Sequence, residues 1–246
     1  MRYIFAGDRE ISVRILNFLI DSGYKPLAII VSDKKRASHA DELITLSELP
    51  PDKVVMGNAC NEKETITRFN ALQPDYVIGI HFPYIIKKDL LNIPKIGFLN
   101  LHPAYLPFNK GWHTPSWAIL DKTPYGATLH YMAEELDSGD IIYQRKIAIS
   151  PDDTANSLYH KVLQLEYDVF TEALPLLTSL KPPRIKQDSI GTSRKKSDLK
   201  EIQELNSEEL LTIDKLRALT TNDIEEAAYF EEGGQRYYVR VNIEKG

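Results

Sequence analysis

Asn100 and His102 stand two residues apart in the stretch FLNLHPAYLPF, residues 98–108, and Pro103 follows at once. Side chains along a strand alternate between faces, so residues at i and i+2 project on the same side. Proline brings no N–H to a ladder, which leaves the amide and the imidazole together at the carboxyl end of a predicted strand. That pair offers hydrogen-bond donation to a developing oxyanion and a group able to move a proton near neutral pH. A carboxylate beside the imidazole would complete the set and favour the charged ring. Asp137, in the turn-like LDSGDI between two predicted strands, is the best candidate. Asn and His at a strand end serve structure more often than catalysis, and spacing alone leaves both readings open.

Positioning such a set calls for a sheet, and the first half of the chain alternates apolar runs with helical patterns, the signature of βαβ units and a mostly parallel sheet. RYIFAG (2–7), PLAIIVS (26–32), VVMG (54–57), DYVIGI (75–80) and IGFLNLH (96–102) read as five strands. GATLHYM (126–132) and DIIYQRKIAI (140–149) add two more across EELDSG. In open α/β sheets ligands bind at the carboxyl ends of the strands, where Asn100 and His102 fall. Ile11, Ile15, Leu19 and Ile20 recur at helical spacing up to Gly23, and Asn61 with Glu64 forms a capping-box pattern ahead of a helix that buries Ile66, Phe69 and Leu72. Asp153 is expected to cap a long helix over 154–177, with Leu158, Val162, Leu165, Val169 and Phe170 as its buried stripe.

Beyond that helix the character changes. Residues 181–200 are polar, proline-containing and locally basic, as a connecting segment is; a capped helix over 206–220 and a hairpin, AAYFEEGGQRYYVRV, follow. Gly233 and Gly234 supply the positive-φ turn. The expected organisation is a catalytic domain over 1–180 and a unit of linker, helix and β-hairpin over 181–246. A two-stranded hairpin is marginal alone, so it must pack on the parent domain or on a second subunit.

Composition narrows the function. The chain of 246 residues has 30 Lys+Arg against 35 Asp+Glu, a net charge of -5, so nothing global favours a nucleic-acid backbone or an anionic membrane. Cys60 is the one cysteine, which excludes an intrachain disulfide and suits a reducing cytoplasm. The opening MRYIFAGDRE has no signal-peptide character and no run is long enough to span a bilayer, so the expected location is the cytoplasm. His39, His81 and His160 form no ligand spacing with a cysteine or carboxylate, and no metal is expected; His130 reads as a satisfied core or supporting residue. AGDRE after the first strand is not GxGxxG, which gives little support to a nicotinamide-binding enzyme.

Three motifs in order, NLHPAYLPFNKGWHTPSWAI, GATLHYMAEELDSGDII and DDTANSLYHKV, strongly resemble the 10-formyltetrahydrofolate-dependent formyltransferases over about residues 1 to 180. That family includes the glycinamide ribonucleotide, methionyl-tRNA and sugar N-formyltransferases. Its catalytic pattern, an Asn-x-His-Pro at a strand end with the first Asp of a Leu-Asp-(Ser/Thr)-Gly-Asp turn, corresponds here to Asn100, His102 and Asp137. The resemblance implies a Rossmann-like α/β fold with a small C-terminal helix and hairpin, and N10-formyltetrahydrofolate as donor. It also implies a pterin slot between HFPYII and MAEELD, with Phe82, Tyr84, Ile85, Met132, Glu135 and Leu136. The less favoured alternative is that Phe82 and Ile85 are simply core.

FNKGWHTPSWAI and the tail, LRALT with AAYFEEGGQRYYVRV, look like the bacterial enzymes that formylate dTDP-linked amino-dideoxysugars for surface polysaccharides such as the lipopolysaccharide O-antigen. The best match implied is dTDP-4-amino-4,6-dideoxyglucose, with 3-amino isomers as alternatives. Methionyl-tRNA formyltransferases carry a larger, basic C-terminal domain. For the acceptor the resemblance implies Asn109, Lys110, Trp112 and His113, with Asp8 and Arg9 lining the same cleft. Arg194, Lys195 and Arg217 would neutralise the diphosphate or, equally, belong to a solvated linker, and Tyr229 and Phe230 would stack on the base or pack within the hairpin. Where the family often has Gly-Thr-Tyr-His, this chain reads GTSRKK. The aromatic hairpin is expected to pair two subunits. The competing readings are a formyltransferase for a different amine and a non-catalytic folate or nucleotide-sugar binder of the same fold.

Overall fold

Runs that are apolar on both faces become strands here because helices cover both sides of them. The computed structural model describes residues 1–220 and 223–244. In chain order come β1 (Tyr3–Gly7), α1 (Glu10–Asp21), β2 (Ile29–Val31), α2 (Ala40–Ser47), β3 (Val54–Met56), α3 (Lys63–Ala71), β4 (Tyr76–Ile80), α4 (Lys88–Leu91) and β5 (Gly97–His102). There follow β6 (Lys110–Gly111), α5 (Thr114–Leu120), β7 (Tyr125–Tyr131), β8 (Ile141–Ile147) and α6 (Ala155–Thr178). The remaining part holds β9 (Ser193–Arg194), α7 (Asp198–Glu201), α8 (Ser207–Leu219), β10 (Ala228–Glu232) and β11 (Gln235–Val239).

Seven strands form one sheet in the order β3-β2-β1-β4-β5-β7-β8. The first five are parallel; β7 runs antiparallel to β5, and β8 to β7. Chain order reverses between β1 and β4, the crevice where open α/β sheets take ligands. One face packs Phe5, Ile78, Leu99 and Leu129 against Ile15 and Leu19 of α1 and Val162, Val169 and Phe170 of α6; the other packs Ile4, Ile30, Val77 and Phe98 with Phe69 of α3 and Leu90 of α4.

Two helix starts differ from expectation. Thr154, not Asp153, caps α6: its hydroxyl accepts from Ser157 N–H and the Ser157 hydroxyl accepts from Thr154 N–H. Asp153 is occupied instead by the Lys161 ammonium at 2.6 Å and by Ser150 N–H. Glu62 stands at the start of α3 without a side-chain cap, because the Asn61 amide donates to Ile85 O and accepts from Lys87 N–H, clamping the loop after β4. Helices α2 and α5 were not anticipated. In the C-terminal part, Asn206 and Glu209 form the capping box of α8, and Gly233 and Gly234 turn the hairpin at φ 60° and 79°. The Phe230 and Tyr237 rings stack across it at 5.2 Å. No described helix is long and apolar enough to cross a membrane.

Candidate active site

Strand β5 delivers Asn100 and His102 to the carboxyl edge of the sheet, and the turn after β7 brings Asp137 to meet them. Asp137 adopts φ 50°, a left-handed conformation unusual for a residue with a Cβ. Its Oδ2 accepts the Gly111 N–H at 2.9 Å and lies 3.6 Å from His102 Nε2; its Oδ1 lies 3.5 Å from Asn100 Nδ2. Gly111 must be glycine at this point: it sits at φ 91°, and a Cβ there would collide with the Arg194 carbonyl.

Hydrogen-bond partners fix the tautomers. His102 Nε2 lies 3.1 Å from the Asn109 carbonyl, which can only accept, so Nε2 carries a proton. Among the described residues His102 Nδ1 has no hydrogen-bond partner and is the atom left to take one up. His130, on β7 opposite Asn100, joins the group. Burial, the largest influence, depresses its pKa to about 4, although Asp137 pulls the other way. The neutral ring donates from Nδ1 to Tyr131 O, which leaves Nε2 to accept from Asn100 Nδ2 at 3.3 Å. One N–H of the Asn100 amide is thereby held, and the other is directed at Asp137 Oδ1 across the longer 3.5 Å contact, the weaker of the two and the one an oxyanion can displace.

A cavity of about 600 Å³ opens in front of His102 and Pro103. Arg9, His81, Phe82, Trp112, His113 and Tyr159 line it. Beneath it His81 Nε2 meets Oε1 of the fully buried Glu166 at 2.8 Å. Burial would push the His81 pKa down, but the Glu166 carboxylate outweighs it and raises the value, so the ring favours its charged form. Sequence reasoning missed this pair. The available signal was Glu166 four residues after Val162 on the buried stripe of α6, where a carboxylate needs a partner.

The other anticipated residues divide. Trp112 and His113 line the cavity, as does Arg9. Asp8 does not: it is wholly buried and its Oδ1 accepts Ser38 N–H. Asn109 turns its side chain inward to Thr123 and offers His102 only its carbonyl. Lys110 is drawn into β6, which pairs with β9. Arg194 lies over the Trp117 ring at 4.2 Å and pairs with Asp121 at 2.7 Å, so its charge is committed to α5. Lys195 N–H is bonded to Asp198 and Arg217 pairs with Asp214 on α8; Tyr229 and Phe230 remain on the hairpin, and none of the four lines the cavity.

At the Phe82 side of the cavity the Phe82 and Tyr84 ring centroids stand 5.0 Å apart, with the Tyr84 hydroxyl accepting Asp33 N–H. Phe82 and Met132 pack half-buried on the core. Ile85 is 83% exposed and Leu136 61%, so neither is core; Glu135 is exposed beside them. Among the described residues no cluster of three or more His, Cys, Asp or Glu has metal-holding geometry.

The chain is 33% identical over 198 residues to a methionyl-tRNA formyltransferase of Geobacillus, covering 76% of this chain and 61% of that protein. It therefore spans less than two thirds of that relative's length. A sugar N-formyltransferase structure from Shewanella superposes with TM-score 0.72 at 24% identity, over 100% of this chain and 99% of the other. A 4-N formyltransferase from Francisella tularensis gives 0.70 at 27% identity, over 99% and 98%. Residues 198–245 match the N-formyltransferase dimerization C-terminal domain. Residues 2–174, which carry the sheet and the whole Asn100–His102–Asp137 group, match the Formyl transferase family, and the chain belongs to that family.

Proposed function

We propose that the protein transfers a formyl group from N10-formyltetrahydrofolate to the amine of a dTDP-linked amino-dideoxysugar, with dTDP-4-amino-4,6-dideoxyglucose the first choice and 3-amino isomers next. The product would serve surface polysaccharide assembly. The observation that carries the reading is the meeting of Asn100, His102 and Asp137, with His102 in the wall of the cavity. The folate supplies the formyl group, and Phe82, Tyr84, Ile85, Met132 and Leu136 would hold its ring. Asn100 turns the N–H that it lends loosely to Asp137 toward the formyl oxygen as negative charge builds there. As the amine bonds to the formyl carbon, His102 takes its proton at Nδ1 with Asp137 stabilising the charged ring, and the proton passes to N10 as the C–N10 bond breaks and tetrahydrofolate leaves. Arg9 gives the cavity wall a cationic group of the sign that an acceptor diphosphate requires.

A net charge of -5 and a C-terminal part matched to a dimerization domain favour a small anionic acceptor over tRNA. The similarity to a methionyl-tRNA formyltransferase supports the second reading, formyl transfer to an aminoacyl-tRNA. Incubation with N10-formyltetrahydrofolate and either a panel of amino-sugar nucleotides or methionyl-tRNA, reading tetrahydrofolate release, separates them. Folate binding without turnover on any acceptor would support a non-catalytic binder.

The C-terminal part pairs two subunits. No residue of α8 is buried, and Tyr229 is 54% exposed and Phe230 40%, more open apolar surface than a hairpin on a domain edge should leave. Sedimentation is expected to give a dimer for the full chain and a monomer for a chain truncated before Glu225. A full-length monomer at micromolar concentration refutes the pairing.

A further inference from the structure

The segment between α6 and α7 has the composition of a linker, yet it is bonded to the catalytic region along its length. Ile185 exchanges two backbone hydrogen bonds with Ile141, at 2.7 and 3.0 Å. The Thr192 hydroxyl accepts Asn109 N–H at 2.7 Å, Thr192 O accepts Lys110 N–H at 2.9 Å, and Arg194 O accepts Trp112 N–H at 3.1 Å. Between these points the Gln187 side chain reaches the turn that carries Asp137. Its Nε2 donates to Asp137 O and to Gly139 O, both at 2.8 Å. Both partners are carbonyls, so only the NH₂ end of the amide can face them, and Gln187 Oε1 is left buried with no partner among the described residues.

The turn needs such a hold. Asp137 is a non-glycine residue in the left-handed region, a conformation that persists only when its surroundings impose it. That conformation aims the carboxylate at Gly111 N–H, Asn100 and His102. We propose that Gln187 is the positioning residue for Asp137: by tying down the carbonyls on either side of Ser138, it fixes the backbone that points the carboxylate into the catalytic group. This rests on the reading of Asp137 as a member of that group. A supporting partner of a catalytic side chain is typically worth about ten- to a hundred-fold in activity.

Two changes of Gln187 separate positioning from bulk structure. Gln187→Leu keeps much of the volume and removes both donors; Gln187→Glu keeps the shape and, when ionised, has no N–H to give. Each is expected to lower kcat ten-fold or more with KM for the folate nearly unchanged. In an Asp137→Asn background the same changes are expected to have little further effect, because residues acting through one another are not additive. A readout free of any assumed substrate is the nuclear magnetic resonance of the His102 ring, whose signals in Gln187→Glu should move toward those of Asp137→Asn. Ring signals that stay at their wild-type positions overturn the proposal, as do equal losses of kcat in both backgrounds. Wild-type turnover by Asp137→Asn would instead sink the catalytic reading, while the ring signals would still report whether Gln187 holds the turn.

Discussion

Two histidines stand beside carboxylates at opposite ends of the site, and their pKa values move in opposite directions. His81 meets Glu166 at 2.8 Å and its pKa is raised; His130 stands 3.7 Å from Asp137 and its pKa falls to about 4. Burial works against the charged ring in both. The difference lies in the carboxylate's other commitments. Asp137 already accepts the Gly111 N–H and is shared with Asn100 and His102, and both His102 and Lys110 repel a proton on His130. Glu166 lies wholly inside the protein, with Oε2 unpartnered among the described residues, so its charge goes to His81. A carboxylate beside a histidine does not by itself make an imidazolium; the sharing of that carboxylate decides. The ring with the depressed pKa stays an acceptor for the Asn100 amide, and the ring with the raised pKa serves as a donor to Glu166.

The largest expected effect comes from breaking the charged pair. His81→Leu leaves the Glu166 carboxyl buried without its counter-charge and should destabilise the fold by about 3–5 kcal/mol, whereas the double change with Glu166→Leu should recover much of the loss. Urea unfolding of the three variants checks this; a single change as harmless as the double would mean that the pair carries no charge. Next comes the neutral end. Asn100→Ala and His102→Ala should each cut turnover by two or more orders of magnitude, on the order of 3 kcal/mol, with folate affinity little altered. Near-normal turnover by Asn100→Ala would remove its oxyanion role.

The smallest effect is the most specific to the contrast, because the two rings give stability opposite dependences on pH. His130 has a folded pKa of about 4, below its ordinary 6.5. Its contribution is therefore complete above 6.5 and lost as pH falls through 4, at up to roughly 1.4 kcal/mol per unit. His81, with its raised folded pKa, contributes fully below 6.5 and loses that contribution as pH rises through the folded value. Unfolding midpoints followed across pH should show a shallower acid decline for His130→Gln and a shallower alkaline one for His81→Gln. Parallel profiles for both variants would mean that the rings share one charge state.

What the sequence could disclose tracks how local each determinant is. Strands β1, β4 and β5 were legible because both of their faces are buried, and the hairpin because its glycines dictate the turn. Asn100, His102 and Asp137 were legible through the resemblance of their motifs; spacing alone left their role open. Helix α5 was hidden because seven residues between prolines and a left-handed His113 show no full amphipathic period. Asn61 misled because a side chain able to cap its own helix was taken by a distant loop, and Asp153 because Lys161 claimed it. Asp8 was expected in the acceptor cleft and Arg194 at the diphosphate, but a charged group can be occupied inside the protein, as Ser38 N–H occupies Asp8 and Asp121 occupies Arg194. His81 with Glu166, and Gln187 with the Asp137 turn, lie 85 and 50 residues apart in the chain, and no local pattern joins them.

The margins of the large sheet bear on how molecules of this chain can meet. Its first margin, β3, is three residues long, and the outer side of β8 is occupied in part by the Ile141–Ile185 bridge and flanked by the Arg145–Glu172 ion pair. Short, covered and charged margins are poor templates for strand addition by a neighbour. The β10–β11 hairpin is a sheet of two strands, with an outer edge on each side. Intermolecular backbone pairing is thus steered away from the catalytic sheet and toward one small appendage. Crowding many copies together would then favour a closed contact at the appendage over runaway stacking of sheets.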